Sequence, residues 1–182
     1  IPGSELFRNL YSNIVSNDDT MDSRSMQKPS ILYIIEDFNS AINPLIEWRR
    51  KQGYIVNVVE RDDIAGSYNT TNIKNYITNA YYNWENPPEF VCLVGDANGN
   101  FAVPTYTVGG GGGWSGAYAE GDFPYALIEG NDNYPDIIIG RISIRSSSEL
   151  ATVINKIIGY EKNYANNTDW LNAAALVGDP YD

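Results

Sequence analysis

The stretch T-N-I-K-N-Y-I-T-N-A-Y-Y-N-W-E-N-P-P-E-F-V-C-L-V-G-D (71–96) decides the architecture. Ile73, Tyr76, Ile77, Ala80, Tyr81 and Trp84 fall at the spacing of one apolar helix face. Pro87-Pro88 ends that helix. Phe90–Val94 is apolar throughout, as a strand covered on both faces requires, and Gly95-Asp96 turns the chain back to solvent.

The same rhythm runs outward in both directions. Upstream, Ile31–Ile35 reads as a buried strand and a helix follows from Ser40 or Asn43 to Gln52. Pro44 suits that helix's first turn and Gly53 its C-terminal cap. Tyr54–Glu60 is the next strand. Downstream, a long loop leads to a strand over Asp136–Ile144. Ser146 and Glu149 then form a capping box for a helix whose buried face is Leu150, Val153, Ile154, Ile157 and Ile158. A last apolar strand is expected over Ala173–Val177. Alternating strands and helices with apolar strands predict an α/β three-layer sandwich: a mostly parallel sheet with helices on both faces. Residues 1–28 read as an N-terminal extension, with a short helix over 5–15 and a polar stretch after it.

Composition removes several function classes. A net charge of −11 argues against nucleic acid or an anionic membrane as partner. No apolar run reaches the roughly 20 residues of a membrane span, and no signal peptide opens the chain, as expected of a mature or excised piece. With 0 histidines, the chain alone holds no Ser-His-Asp triad, Cys-His dyad or His-ligated zinc. Cys92, the single cysteine, sits inside the apolar run 90–94 and reads as a core residue.

The glycine run 109–113 continues into a literal G-x-G-x-x-G (111–116), but it lies well past the strand at 90–94, opens no helix pattern and lacks G-K-[ST]. It reads as a surface loop rather than a phosphate cradle. Asp62-Asp63 and the Glu120/Asp122 pair read as solvated acids. Asn69-Thr70-Thr71 and Asn166-Asn167-Thr168 match glycosylation acceptors, a weak signal in an Asn-rich chain.

The acidic loops carry more. Asp96 in L-V-G-D-A-N (93–98), with Asp132 and Asp136 in E-G-N-D-N-Y-P-D (129–136), each abut an apolar strand. Brought to one sheet end, three carboxylates need a counter-charge, and a hard cation such as Ca²⁺ suits carboxylate and carbonyl oxygens. Turn and cap aspartates facing solvent are the alternative. An EF-hand is excluded, because the loop from Asp96 has no glycine at its sixth position and Thr107 at its twelfth.

The series I-E-W-R-R-K-Q-G-Y (46–54), F-V-C-L-V-G-D (90–96), G-N-D-N-Y-P-D-I-I-I-G-R-I-S (130–143), I-N-K-I-I-G-Y-E-K-N (154–163) and D-W-L (169–171) resembles the gingipain family of cysteine endopeptidases over roughly residues 29–178. The resemblance implies a caspase-like unit of two α/β subdomains, secretion and bound calcium. It places calcium on the carboxylates of Asp96, Asp132 and Asp136 and the main-chain carbonyls of Glu129 and Tyr134. Glu129 stands where the family has an apolar residue and Asp136 where it has Glu. The family's catalytic histidine and cysteine lie in the second subdomain, and Cys92 does not align with the nucleophile. Residues 29–170 are therefore expected to form the non-catalytic subdomain and 171–182 the first strand of the catalytic one. The implied partners are that catalytic subdomain and a protein or peptide substrate. A non-enzymatic calcium-dependent binding module on the same scaffold is the alternative, with a nucleotide-binding domain using 109–116 a weaker one.

Overall fold

The computed structural model describes residues 3–14, 26–37, 40–108, 119–163 and 173–174. Strands β1 (Gly3–Ser4) and β2 (Met26–Gln27) form a short parallel pair, with helix α1 (Glu5–Ile14) between them in sequence. The main sheet contains β3 (Ser30–Ile35), β4 (Ile55–Glu60), β5 (Phe90–Val94) and β8 (Ile138–Ile142). All of its pairings are parallel, in the order β4-β3-β5-β8. A small antiparallel ribbon joins β6 (Tyr106–Val108) to β7 (Ala119–Gly121). Helices α2 (Asn43–Lys51), α3 (Thr70–Asn83) and α4 (Ser147–Asn163) complete the fold.

Topology follows from handedness. The chain leaves β3 through α2 to β4, then returns through α3 across β3 to β5. Parallel crossovers are right-handed, so opposite directions of travel put α2 and α3 on opposite faces. The side chains of β3 divide accordingly. Leu32 and Ile34 pack in one core with Ile73, Ile77 and Ala80 of α3. Ile31, Tyr33 and Ile35 pack in the other with Leu45 and Ile46 of α2 and Leu150 and Ile154 of α4. All six residues of β3 are buried, the reason for its unbroken apolar run.

Helix ends follow local chemistry. The Asn69 side chain accepts from Asn72 N at 2.9 Å and caps α3. Ser146 Oγ accepts from Glu149 N at 3.2 Å as expected, but the Glu149 carboxylate takes Arg145 N at 2.7 Å, one residue before the cap, in place of the Ser146 amide of a full capping box. The strand expected over 136–144 is shorter, because the Asp136 carboxylate folds back onto its own loop before β8 begins. The stretch expected as one long loop contains the β6/β7 ribbon and a 3₁₀ turn over Phe123–Ala126. The extension is tied to the domain: Ser4 Oγ donates to Glu89 at 2.9 Å, and the buried Gln27 amide donates to Pro87 O and Glu89 Oε1. The strand expected over Ala173–Val177 lies largely outside the described residues, as do the glycine run and the second glycosylation match.

One polar clamp joins α2 to α4. Arg49 grips both oxygens of Glu161 at 2.6 and 2.7 Å, and Trp48 Nε1 and Gln52 Nε2 donate to the same carboxylate at 2.5 and 3.1 Å. Lys162 stacks over the Trp48 ring at 4.8 Å. The Arg49 hydrogen bond is the main reason that the Glu161 carboxyl falls to about 2, against an opposing push from burial. A depressed carboxyl stabilises the fold above its unfolded value, and that contribution fades as pH falls through about 4 towards 2. Glu161→Gln should therefore cost about 2 kcal/mol at pH 7 and roughly a quarter of that at pH 2.5, as measured by urea denaturation at the two values.

Candidate functional site

The carboxyl ends of the strands form one rim. Gly95, after β5, adopts φ +151°, and a Cβ there would stand 1.9 Å from the carbonyl oxygen of Phe101. Only glycine lets the 95–103 loop close this tightly. The loop is pinned by Gly95 N to Ile142 O at 2.9 Å, Asp96 N to Ile144 O at 3.1 Å and Val103 N to Asp96 O at 2.9 Å. The Asp96 carboxylate accepts from Arg145 Nε at 2.5 Å, Ala97 N at 2.9 Å and Ser143 Oγ at 3.1 Å. Arg145, then the Ala97 amide and Ser143, hold its carboxyl below the usual range.

Arg141 of β8 organises this rim. Nε and Nη2 form a fork on Asp122, both at 2.8 Å, while Nη1 donates to the carbonyls of Gly95, Asp96 and Val103 at 2.9, 3.2 and 2.8 Å. Thr105 Oγ1 completes the Asp122 shell at 2.8 Å. Burial pushes the Asp122 carboxyl up, but the Arg141 and Thr105 hydrogen bonds outweigh it and the net shift is downward. Asp122 is thus a partnered, half-buried anchor rather than the solvated acid expected from its glycine-bearing loop. Arg141 was legible only as a cation inside an apolar strand pattern.

The amino ends of the strands form the opposite rim, which holds the loop 129–136. Asp136 Oδ2 accepts from Ile128 N at 2.6 Å and Glu129 N at 2.8 Å, and Asp132 Oδ1 accepts from Tyr134 N at 3.0 Å. Tyr81 OH donates to Glu129 Oε1 at 3.1 Å. Lys74 Nζ, on α3, donates to the carbonyls of Pro124 at 2.6 Å, Tyr125 at 3.2 Å and Leu127. Desolvation lowers the Lys74 ammonium.

The structure therefore brings together four of the five residues expected to hold calcium and separates the fifth. Glu129, Asp132, Tyr134 and Asp136 share one folded loop. Asp96 lies beyond the far end of β5 and is bonded to Ile144, eight residues further along the chain than Asp136. At about 3.3 Å per strand residue the separation is on the order of 20 Å. The expectation of one five-residue shell is corrected accordingly. Asp96 follows its strand while Asp136 precedes its own, and in a parallel pair those positions are opposite ends. Among the described residues, no three His, Cys, Asp or Glu side chains are grouped to hold a metal. A calcium ion at the 129–136 loop would rest on two carboxylates plus main-chain oxygens, a hard donor set of the kind calcium takes.

Cys92 lies on the floor of an open groove of about 800 Å³, beside Tyr33, Arg49, Phe90 and Glu161. Burial pushes its thiol up to about 12, which makes it a poor nucleophile.

Comparison with known proteins gives this geometry a lineage. The sequence pattern of peptidase family C25 matches residues 24–182. The chain belongs to peptidase family C25. Gingipain R2 of Porphyromonas gingivalis is 24% identical over 173 residues, which take in 95% of this chain and 22% of that protein. Lys-gingipain of the same organism is 24% identical over 183 residues, covering 96% of this chain and 10% of that protein. Among solved structures, the Arg-specific cysteine proteinase gingipain R superposes with a TM-score of 0.61 at 26% identity, over 72% of this chain and 28% of that one. Dimeric latent PorU from P. gingivalis shares the fold, with a TM-score of 0.55 at 16% identity over 84% of this chain and 18% of its own. The chain spans about a fifth of gingipain R2 and a tenth of Lys-gingipain. These likenesses support the expected α/β caspase-like architecture and make this C25 chain part of a cysteine peptidase lineage.

Because Arg141 alone ties Asp122 to three carbonyls of the 95–103 loop, Arg141→Met should cost about 3–4 kcal/mol and speed amide exchange at Val103. Arg141→Lys, a point charge without the planar fork, should recover less than half of the loss in urea unfolding.

Proposed function

We propose that this chain is the first, non-catalytic subdomain of a secreted cysteine endopeptidase of gingipain type. The catalytic histidine and cysteine would come from a second subdomain of the same polypeptide, and the substrate would be a protein or peptide. One observation carries the division of labour. The chain matches a peptidase family across residues 24–182 and contains 0 histidines, while its one cysteine is a strand residue with a raised thiol. A cysteine peptidase needs a thiolate activated by a neighbouring base, and this chain supplies neither. Its contribution is structural, a doubly covered sheet whose ordered rims flank the reactive half. No helix among the described residues is long and apolar enough to cross a membrane. The chain alone should not hydrolyse fluorogenic Arg- or Lys-terminated peptides; turnover that Cys92→Ala abolishes would refute this assignment.

We also infer that calcium stabilises this chain by binding the loop 129–136, through the carboxylates of Asp132 and Asp136 and the main-chain carbonyls of Glu129 and Tyr134. Each carboxylate already anchors the loop through one of its two oxygens. Among the described residues, neither takes part in an ion pair, whereas Asp96 is paired with Arg145. The ion would supply counter-charge and loop order rather than chemistry. Calcium at a hundred times its dissociation constant should raise stability by about 2.7 kcal/mol. Asp132→Asn or Asp136→Asn should abolish the rise and Asp96→Asn should leave it intact. A melting temperature indifferent to calcium in the unaltered chain would dispose of this reading.

A further inference from the structure

The turn between the 3₁₀ segment 123–126 and the loop 129–136 is gripped from two sides. On one side stands Lys74, on α3 next to the fully buried Ile73. Its ammonium donates to three carbonyls, of Pro124, Tyr125 and Leu127. An ammonium has three donors and no acceptor, so three carbonyls satisfy it. Those carbonyls sit where a 3₁₀ turn ends, the place at which backbone oxygens lose their helical partners. On the other side, Asp136 Oδ2 takes the amides of Ile128 and Glu129, and Asp136 N donates to Ala126 O at 2.9 Å. Each backbone group of this turn named here is thus held by Lys74 or Asp136. The turn's base is fixed as well, since Tyr125 and Ala126 are fully buried and Tyr125 OH donates to Pro104 O at 2.7 Å.

No ion pair among the described residues includes Lys74. Its direct partners are carbonyl dipoles, with the Asp136 carboxylate a longer-range attraction, so its first effect is to order backbone.

We propose that Lys74 is a positioning residue for the cation loop: by drawing the 124, 125 and 127 carbonyls towards α3, it turns the 128 and 129 amides onto Asp136 and presets the loop before an ion arrives. This inference rests on the calcium reading above and adds to it a residue outside the donor set. Two effects oppose each other. The ammonium repels a second cation, while its grip spares the ion the entropy of ordering the turn. The loop 129–135 is exposed, so repulsion is screened by water and salt, and preorganisation decides the sign.

The test uses the full chain with Lys74→Met, which keeps the stem, and Lys74→Arg, which keeps charge and donors. In calcium-free protein, amide exchange at Ile128 and Glu129 should quicken about tenfold in Lys74→Met and stay near the original rate in Lys74→Arg. In calorimetric titration with CaCl₂, Kd should rise about tenfold in Lys74→Met and be restored to within about threefold in Lys74→Arg. Should Lys74→Met fail to fold, Lys74→Gln, with one donor group left, should show faster exchange at 128 and 129 and a higher Kd than the original chain and Lys74→Arg. Unchanged exchange at 128 and 129, or calcium binding that is unaltered or tighter without the ammonium, overturns the inference while leaving the calcium reading standing. An original chain that takes up no calcium overturns both.

Discussion

All six residues of β3 are buried, and one layer of helices covers only one side of a strand. The molecule is therefore committed to two cores, with α3 on one side and α2 and α4 on the other. That commitment fixes which ends of the strands are free to carry loops. The polar devices described above lie at strand ends or between elements, because packing takes up most of the sheet faces outside the groove at Cys92.

Much of this was legible in the residues. The continuous apolar runs at 31–35 and 90–94 gave a parallel sheet, and the periodicities over 71–84 and 150–158 gave its helices. The Ser146/Glu149 pair marked the start of α4, whereas Asn69, read only as a glycosylation match, proved to be the cap of α3. What did not show was anything that depends on two segments meeting. The β1/β2 pairing, the β6/β7 ribbon and the Arg141 fork join residues that sequence proximity does not couple.

The calcium residues teach the same lesson more sharply. An aspartate next to a strand pattern gives no direction until it is known whether it precedes or follows the strand. Asp96 follows β5 and Asp136 precedes β8, and parallel pairing sends them to opposite rims. The two carboxylates then meet opposite circumstances. Asp96 finds a guanidinium, a hydroxyl and an amide within its own rim, while Asp136 is given to the backbone of its loop. Membership of family C25 is compatible with both, since relatedness at 24% identity constrains the scaffold more tightly than each side chain's partner.

The crowding at Gly95 has a consequence for how freely this lineage can vary. A methyl group there would collide with the Phe101 carbonyl, a backbone atom that no rotamer change can move aside. Gly140 and Gly159, by contrast, have open space where a Cβ would stand. In a saturation library selected only for folding, position 95 would return almost a single codon family while 140 and 159 drift. The turn after β5 is in that sense an evolutionary fixed point, set by how closely one loop's main chain folds back on itself rather than by any chemistry that a side chain performs.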